Sequence, residues 1–232
     1  MTMTPEMRKE LLELYADLRV ADVRDGMDWN MMHHYGSMSR DIRPLYRTHA
    51  VGIALTARYV PYQGTVPGMT PEEYSEWQGW YYQNICRYPW FHEIEEGSFP
   101  VIDESGVDVG LIGSHNGLGA YLKGARGFII DGGVRDTDEL ILQKVPVWST
   151  MSSQGMVQGR VQYESHNTPV NVGGVLVHSG DIIVADGDGV IVVPQKIAFE
   201  VAKWANIEHQ RDKGERKKLY VESGRELDKT VL

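Results

Sequence analysis

Apolar side chains recur at helical spacing between residues 5 and 18, at Leu11, Leu12, Leu14, Tyr15 and Leu18. Thr4 and Pro5 before them have the form of an N-cap and a first helical residue. A second helix opens around Ala21 in "LRVADVRDGMD". The spacing then shortens to two. "THAVGIALTARYV", residues 48 to 60, reads as a strand with Val51, Ile53, Leu55 and Ala57 on one face. From Pro100 the segments alternate: "PVIDESGVDVGLIG" as strand and turn, "HNGLGAYLKGA" as a short helix, "RGFIID" as a strand, "TDELILQK" as a helix and "VPVWST" as a strand. That order predicts an α/β fold with a parallel or mixed central sheet flanked by helices. Residues 161 to 194 read as short strands with turns at Ser179-Gly180, Asp186-Gly187 and Asp188-Gly189. Helical spacing returns from Lys196 to about Arg211, and a charged tail follows. With no repeat and no low-complexity linker, residues 1–232 read as one domain.

Residues 61 to 97 depart from this rhythm. They hold three of the six Trp and five of the twelve Tyr, and Thr70-Pro71 followed by Glu72 and Glu73 marks a helix start inside them. The aromatics either pack this excursion onto the body or line a pocket or subunit contact.

Charge narrows the function. A net charge of -9 argues against general binding to nucleic acid or anionic lipid, although a local arginine still suits a small anion. Cys86 is the only cysteine, which excludes an intramolecular disulfide and an intrachain thiolate zinc cluster. The amphipathic, charged N-terminal segment does not resemble a signal peptide, and no apolar run approaches the roughly 20 residues of a membrane helix, so a cytoplasmic location is expected.

Candidate chemistry concentrates in "GFIIDGGVRDTDEL", residues 127 to 140. A loop at the carboxyl end of a strand is the usual ligand position in an α/β sheet. There Arg135 offers a planar fork of donors for a carboxylate or phosphate, and Asp136 a hard oxygen for Mg²⁺ or Mn²⁺. Gly132 and Gly133 are read as permitting positive φ and a close ligand approach. As adjacent residues, Arg135 and Asp136 should diverge and serve different parts of a ligand; equally, Asp136 could merely N-cap the helix after it, with Glu139 in its first turn. Upstream, "IGSHNGLGA" is a Gly-flanked turn into a helix, whose N-terminal amides suit an anion. If strands 109–112 and 127–130 are neighbours, both features face one pocket.

The stretch "GSHNGLGAYLKGARGFIIDGGVRDTDEL" resembles the family of class II pyruvate aldolases acting on 4-hydroxy-4-methyl-2-oxoglutarate and 4-carboxy-4-hydroxy-2-oxoadipate, which also contains the regulator of ribonuclease activity A. "DIRPLYRTHAVGIALTA" and "PVNVGGVLVHSGDIIVADGDGVIVVP" are similar to the same family, and the likeness spans most of residues 20 to 205. It implies a swivelling-type β/β/α fold in a trimer or dimer of trimers, with sites between subunits. By position it implies that Arg135 binds the substrate carboxylate, Asp136 ligates Mg²⁺ or Mn²⁺, and the backbone amides of His115 and Asn116 complete the carboxylate grip. The metal would polarise the 2-keto oxygen and stabilise the pyruvate enolate.

The family pattern places an acidic residue, twenty residues, then Arg-Asp, two residues, and Glu or Asp; Arg135, Asp136 and Glu139 match, but the acidic position is Ser114. Serine supplies no charge, and His115 beside it is the available substitute acid or base, if it is not simply a surface or capping residue. The excursion at 61–97 is also longer than the family implies. His33-His34 read as a turn, Asp186 and Asp188 as turn formers, and Glu208 or Glu215 as candidates to reach a neighbouring subunit's site. The resemblance implies a metal-dependent lyase releasing pyruvate from a small anionic 2-oxo or 2-hydroxy acid. The alternatives are a ribonuclease-binding regulator, or an isomerase or hydratase on the same scaffold.

Overall fold

The computed structural model describes residues 3–232. Two helices open it, α1 (Pro5–Tyr15) and α2 (Val20–Trp29). The Thr4 hydroxyl accepts the Met7 amide at 3.2 Å, so the N-cap expected there is formed. A short β1 (Arg43–Pro44) and the long β2 (Ala50–Pro61) follow, then α3 (Pro71–Asn84) and a 3-10 turn over Pro89–Glu93. Next come β3 (Ser98–Asp103), β4 (Gly110–Ile112), α4 (Ser114–Lys123), β5 (Phe128–Val134), α5 (Thr137–Leu142) and β6 (Val147–Ser152). The last part holds β7 (Val161–His166), β8 (Val170–Val172), β9 (Val175–Val177), β10 (Ile182–Ala185), β11 (Val190–Val193) and α6 (Ala198–Ser223).

Nine strands form one mixed sheet in the order β1-β6-β5-β3-β2-β10-β11, with β4 paired to β5 and β7 to β2. Its centre is parallel, β2 with β3, β3 with β5, and β5 with both β4 and β6; the flanks are antiparallel. Strand β2 explains the layering. Val51 and Ile53 pack under α1, α2 and α6, while Leu55 and Ala57 on the same side pack beneath α3 and α4. The other face was invisible to the apolar pattern because it carries the small Ala50, Gly52 and Ala54; Ala50 and Ala54 are nevertheless buried, beneath the β8–β9 hairpin. A strand covered on both sides belongs in the middle of a fold. The result is the expected β/β/α arrangement, with hairpin, curled sheet and helices as successive layers.

The excursion is anchored by its own aromatics. The helix start expected at Thr70-Pro71 is formed, and Thr70 and Glu73 close a capping box there, at the start of α3. Tyr81 is fully buried with its hydroxyl donating to the Val161 carbonyl at 2.8 Å, and buried Trp90 donates to the Tyr59 hydroxyl at 2.9 Å. At the other end of the chain, α6 runs twelve residues past the expected stop at Arg211, to Ser223. Its buried positions, Ala198, Val201, Ala202, Ala205 and Glu208, end where the apolar spacing ends. The remaining turns are exposed and carry Arg216–Asp212 and Lys218–Glu215 ion pairs, which support a helix without leaving a hydrophobic signature. Among the described residues no helix is long and apolar enough to cross a membrane.

Candidate active site

Strands β4 and β5 lie side by side and parallel, with Gly110 opposite Gly133 and Ile112 opposite Val134. Their carboxyl ends therefore emerge together, β4 into α4 and β5 into Arg135, Asp136 and α5. The Arg135 amide donates to the Ile112 carbonyl at 2.9 Å, continuing the ladder one residue beyond β5. Asp136 then turns the chain in the left-handed region, φ 54° and ψ 42°. Aspartate tolerates this conformation better than most non-glycine residues.

Asp136 occupies the N-cap position of α5 but its side chain caps nothing there. Its carboxylate crosses to the neighbouring helix instead. Oδ2 accepts the Ser114 amide at 3.1 Å and faces the Ser114 hydroxyl at 3.4 Å, and Oδ1 accepts Arg135 Nε at 3.2 Å. Desolvation pushes the Asp136 pKa up, but the Ser114 N–H, the Arg135 guanidinium and the Ser114 hydroxyl outweigh it and hold it below the usual carboxylate value. The pair thus corrects one expectation: Arg135 and Asp136 do not diverge but fold onto each other. Only Nε of Arg135 is engaged, which leaves its terminal amino groups without a protein acceptor among the described residues.

Glycine makes the close approach possible, though not where the sequence suggested. A Cβ on Gly110 would meet Arg135 Cβ at 2.6 Å, and one on Gly113 would meet Asp136 Oδ2 at 2.5 Å. Gly132 and Gly133, read as sites of positive φ, have none. They are bare because the Glu104 carboxylate and the Val109 carbonyl pack against them.

A cleft of about 470 Å³ opens over this junction, lined by Gly110, Leu111, Gly113, His115, Asn116, Arg135 and Asp136 together with Tyr82, Tyr88 and Phe91. The amides of His115 and Asn116, in the first turn of α4, donate to no protein acceptor among the described residues. The Asn116 side chain is already used, accepting the Gly113 amide at 2.7 Å and donating to the Leu111 carbonyl at 3.0 Å, so Asn116 offers a ligand its backbone alone. The His115 ring is exposed on the cleft wall. Sequence reasoning did not single out Tyr82, Tyr88, Phe91, Gly110 or Gly113. The aromatic density at 61–97 was the available signal, but nothing in it says which rings turn inward.

The other candidates lie elsewhere. Glu139 is exposed on α5 and does not line the cleft. Glu208 is buried and paired with Arg211, and Glu215 pairs with Lys218; neither reaches this cleft within the chain. His33 faces Asp28 at 3.3 Å, and Asp186 accepts the Val20 and Asp188 amides, the turn-forming role expected of it.

No cluster of three or more His, Cys, Asp or Glu side chains is placed to hold a metal among the described residues. The donor set at Asp136 still fits Mg²⁺ or Mn²⁺, since such ions often take one carboxylate and complete their shell with water and ligand oxygens. Oδ1 of Asp136 keeps an unused lone pair, and the carboxylate stays ionised.

Sequence relatives extend the picture. An uncharacterized protein of Methanocaldococcus jannaschii is 33% identical over 49% of this chain and 54% of its own length. Protein DlpA of Legionella pneumophila is 27% identical over 82% of this chain and 28% of its own length. An Arabidopsis thaliana protein with the provisional name 4-hydroxy-4-methyl-2-oxoglutarate aldolase 3 is 33% identical over 42% and 58%. The chain thus matches less than two thirds of the length of each of these relatives. A solved protein from Pseudomonas syringae pv. tomato superposes with TM-score 0.74 at 25% identity over 97% of this chain and 98% of that one. Streptomyces coelicolor RraAS2, titled an unusual member of the RNase ES inhibitor RraA family, shares the fold with TM-score 0.71 at 24% identity over 89% and 96%. A family model described as RraA-like, Aldolase/RraA, matches residues 20–192, and with most of its length so matched, the chain belongs to the Aldolase/RraA family.

Proposed function

We propose that the chain is a divalent-metal-dependent carbon–carbon lyase acting on a carboxylated 2-oxo or 2-hydroxy acid, by retro-aldol cleavage or decarboxylation that releases pyruvate. One observation carries the reading: β4–β5 pairing brings an arginine with free amino groups, an ionised carboxylate and two unpartnered helix amides to a single cleft. Arg135 and the amides of His115 and Asn116 would grip the substrate carboxylate from two sides, and Asp136 would hold Mg²⁺ or Mn²⁺. A divalent cation there supplies Lewis-acid stabilisation of charge developing on the 2-keto oxygen. Ser114, in place of an acidic residue, donates to Asp136 and keeps it ionised, so proton transfer falls to another group. The His115 imidazole lines the cleft and is the group there suited to general acid–base work. In a retro-aldol cleavage it takes the C4 hydroxyl proton as the C3–C4 pair passes into the pyruvate enolate, and it returns a proton to C3. In this reading the chain works as a trimer or a dimer of trimers on a small anionic 2-oxo acid, without nucleic acid.

The test is pyruvate release from 4-hydroxy-4-methyl-2-oxoglutarate and CO₂ release from oxaloacetate, with Mg²⁺, Mn²⁺ or EDTA, on the wild type and Asp136→Ala. Oxaloacetate decarboxylates with free metal, so the protein-dependent difference is the signal. Turnover requiring both metal and Asp136 supports the reading; no protein-dependent turnover of either compound overturns it. A second reading, an isomerase or hydratase on the same scaffold, draws support from Tyr82 and Tyr88 in the cleft wall. Conversion of a 2-oxo or 2-hydroxy acid without pyruvate or CO₂ release would select it.

A further inference from the structure

The cleft lining joins two chemistries: Arg135, Asp136 and the first turn of α4, and the rings of Tyr82, Tyr88 and Phe91. The aromatic wall is fixed in place. Tyr88 donates its hydroxyl to the Leu111 carbonyl at 3.1 Å, which ties the wall to β4, the strand that leads into the site. Lys123 donates to the Phe91 and His92 carbonyls at 2.7 and 2.8 Å, holding the 3-10 turn on α4. Tyr82 leans on Tyr88 with ring centroids 6.4 Å apart, yet keeps 40% of its surface open. Its neighbour Tyr81 is fully buried, so the excursion has core positions to fill and still turns a large ring outward here. With its hydroxyl engaged, Tyr88 offers ring surface rather than a polar group. Arg135 is the only Lys or Arg among the cleft-lining residues.

We infer that the cleft takes a 2-oxo acid whose far end carries an aromatic ring, packed against Tyr82, Tyr88 and Phe91. The assignment rests on the reading that Arg135 and Asp136 take the 2-oxo acid head. A second carboxylate would meet rings that cannot solvate it, and the Lys123 ammonium, 5.8 Å from the centre of the Phe91 ring, is already given to the Phe91 and His92 carbonyls; an aryl group would meet aromatic partners. A preordered wall also spares the ligand the entropy of ordering it.

The experiment is titration calorimetry of the full chain, in excess Mg²⁺, with 2-oxo-4-phenylbutanoate and with 2-oxobutanoate, which share a head and differ by one ring. The expected result is at least tenfold tighter binding of the phenyl compound in the wild type. That ratio should fall towards one in Tyr82→Ala and be restored in Tyr82→Phe; Tyr82 is partly exposed, so the exchange should not unfold the chain. Equal binding of the two acids, or a ratio unchanged in Tyr82→Ala, overturns the inference and leaves the carboxylate grip standing. Binding of neither acid removes the 2-oxo acid reading, and the inference with it.

Discussion

Asp136 is held in place by what surrounds it rather than by its own helix. A methyl group on Gly113 would stand 2.5 Å from its Oδ2, so Gly113→Ala should push the carboxylate off Ser114. The expected outcome is a loss of at least about 10²-fold in metal-dependent kcat/KM with the fold retained, checked by kinetics beside circular dichroism; positioning losses of this size are ordinary in active sites. His115→Ala should lower kcat by about 10² or more, as expected for loss of a general acid or base. Glu104 makes a different prediction. It is completely buried, one oxygen accepting the Gly133 amide at 2.8 Å and the other without a partner. Burial pushes its pKa well up, the Gly133 N–H opposes this, and Asp131 and Asp103 push it further up. The folded chain therefore binds a proton that the unfolded chain releases near the ordinary carboxylate pKa. Stability should fall as pH rises from that value towards the folded one. Glu104→Gln should remove this slope, seen as a flatter pH dependence in denaturant unfolding; an unchanged slope would show that Glu104 is not its source.

At the scale of elements, the aromatic excursion joins stability to the site. Trp90 packs against Tyr88 and Phe91 at ring separations of 6.1 Å and donates to Tyr59, so the same turn that fills the core presents two rings to the cleft. Trp90→Ala should cost about 3–5 kcal/mol, the range for large aromatic deletions, measured by urea unfolding. It should also raise KM for any substrate that uses the aromatic wall. The helix start at Thr70-Pro71 was legible because capping chemistry is local. The full length of α6 was not, because beyond Glu208 its side chains face solvent and their spacing records no buried stripe.

For the whole molecule, the core of three buried clusters lies beneath layers that contain no part of Asp136, whose side chain remains about one third exposed and is already paired. EDTA should therefore abolish turnover while moving the melting midpoint by no more than a few degrees, read by calorimetry with and without Mg²⁺. Light scattering should give three or six copies per particle; exposed Trp29, Leu219 and Val221 supply apolar surface for such contacts. The division between sequence and structure follows from the range of the forces involved. Alternating strand and helix signals, the caps at Thr4 and Thr70, and the Arg135-Asp136 pair after a strand were determined by the sequence itself, since periodicity and capping act within a few residues. Tertiary structure alone decided that β4 lies beside β5, that Gly110 and Gly113 rather than Gly132 and Gly133 make room for the site, that Asp136 joins Ser114 instead of capping α5, and that Tyr82 and Tyr88 face the cleft. Each of these is a contact between segments far apart in the chain, and such contacts leave no period or spacing in the sequence to be read.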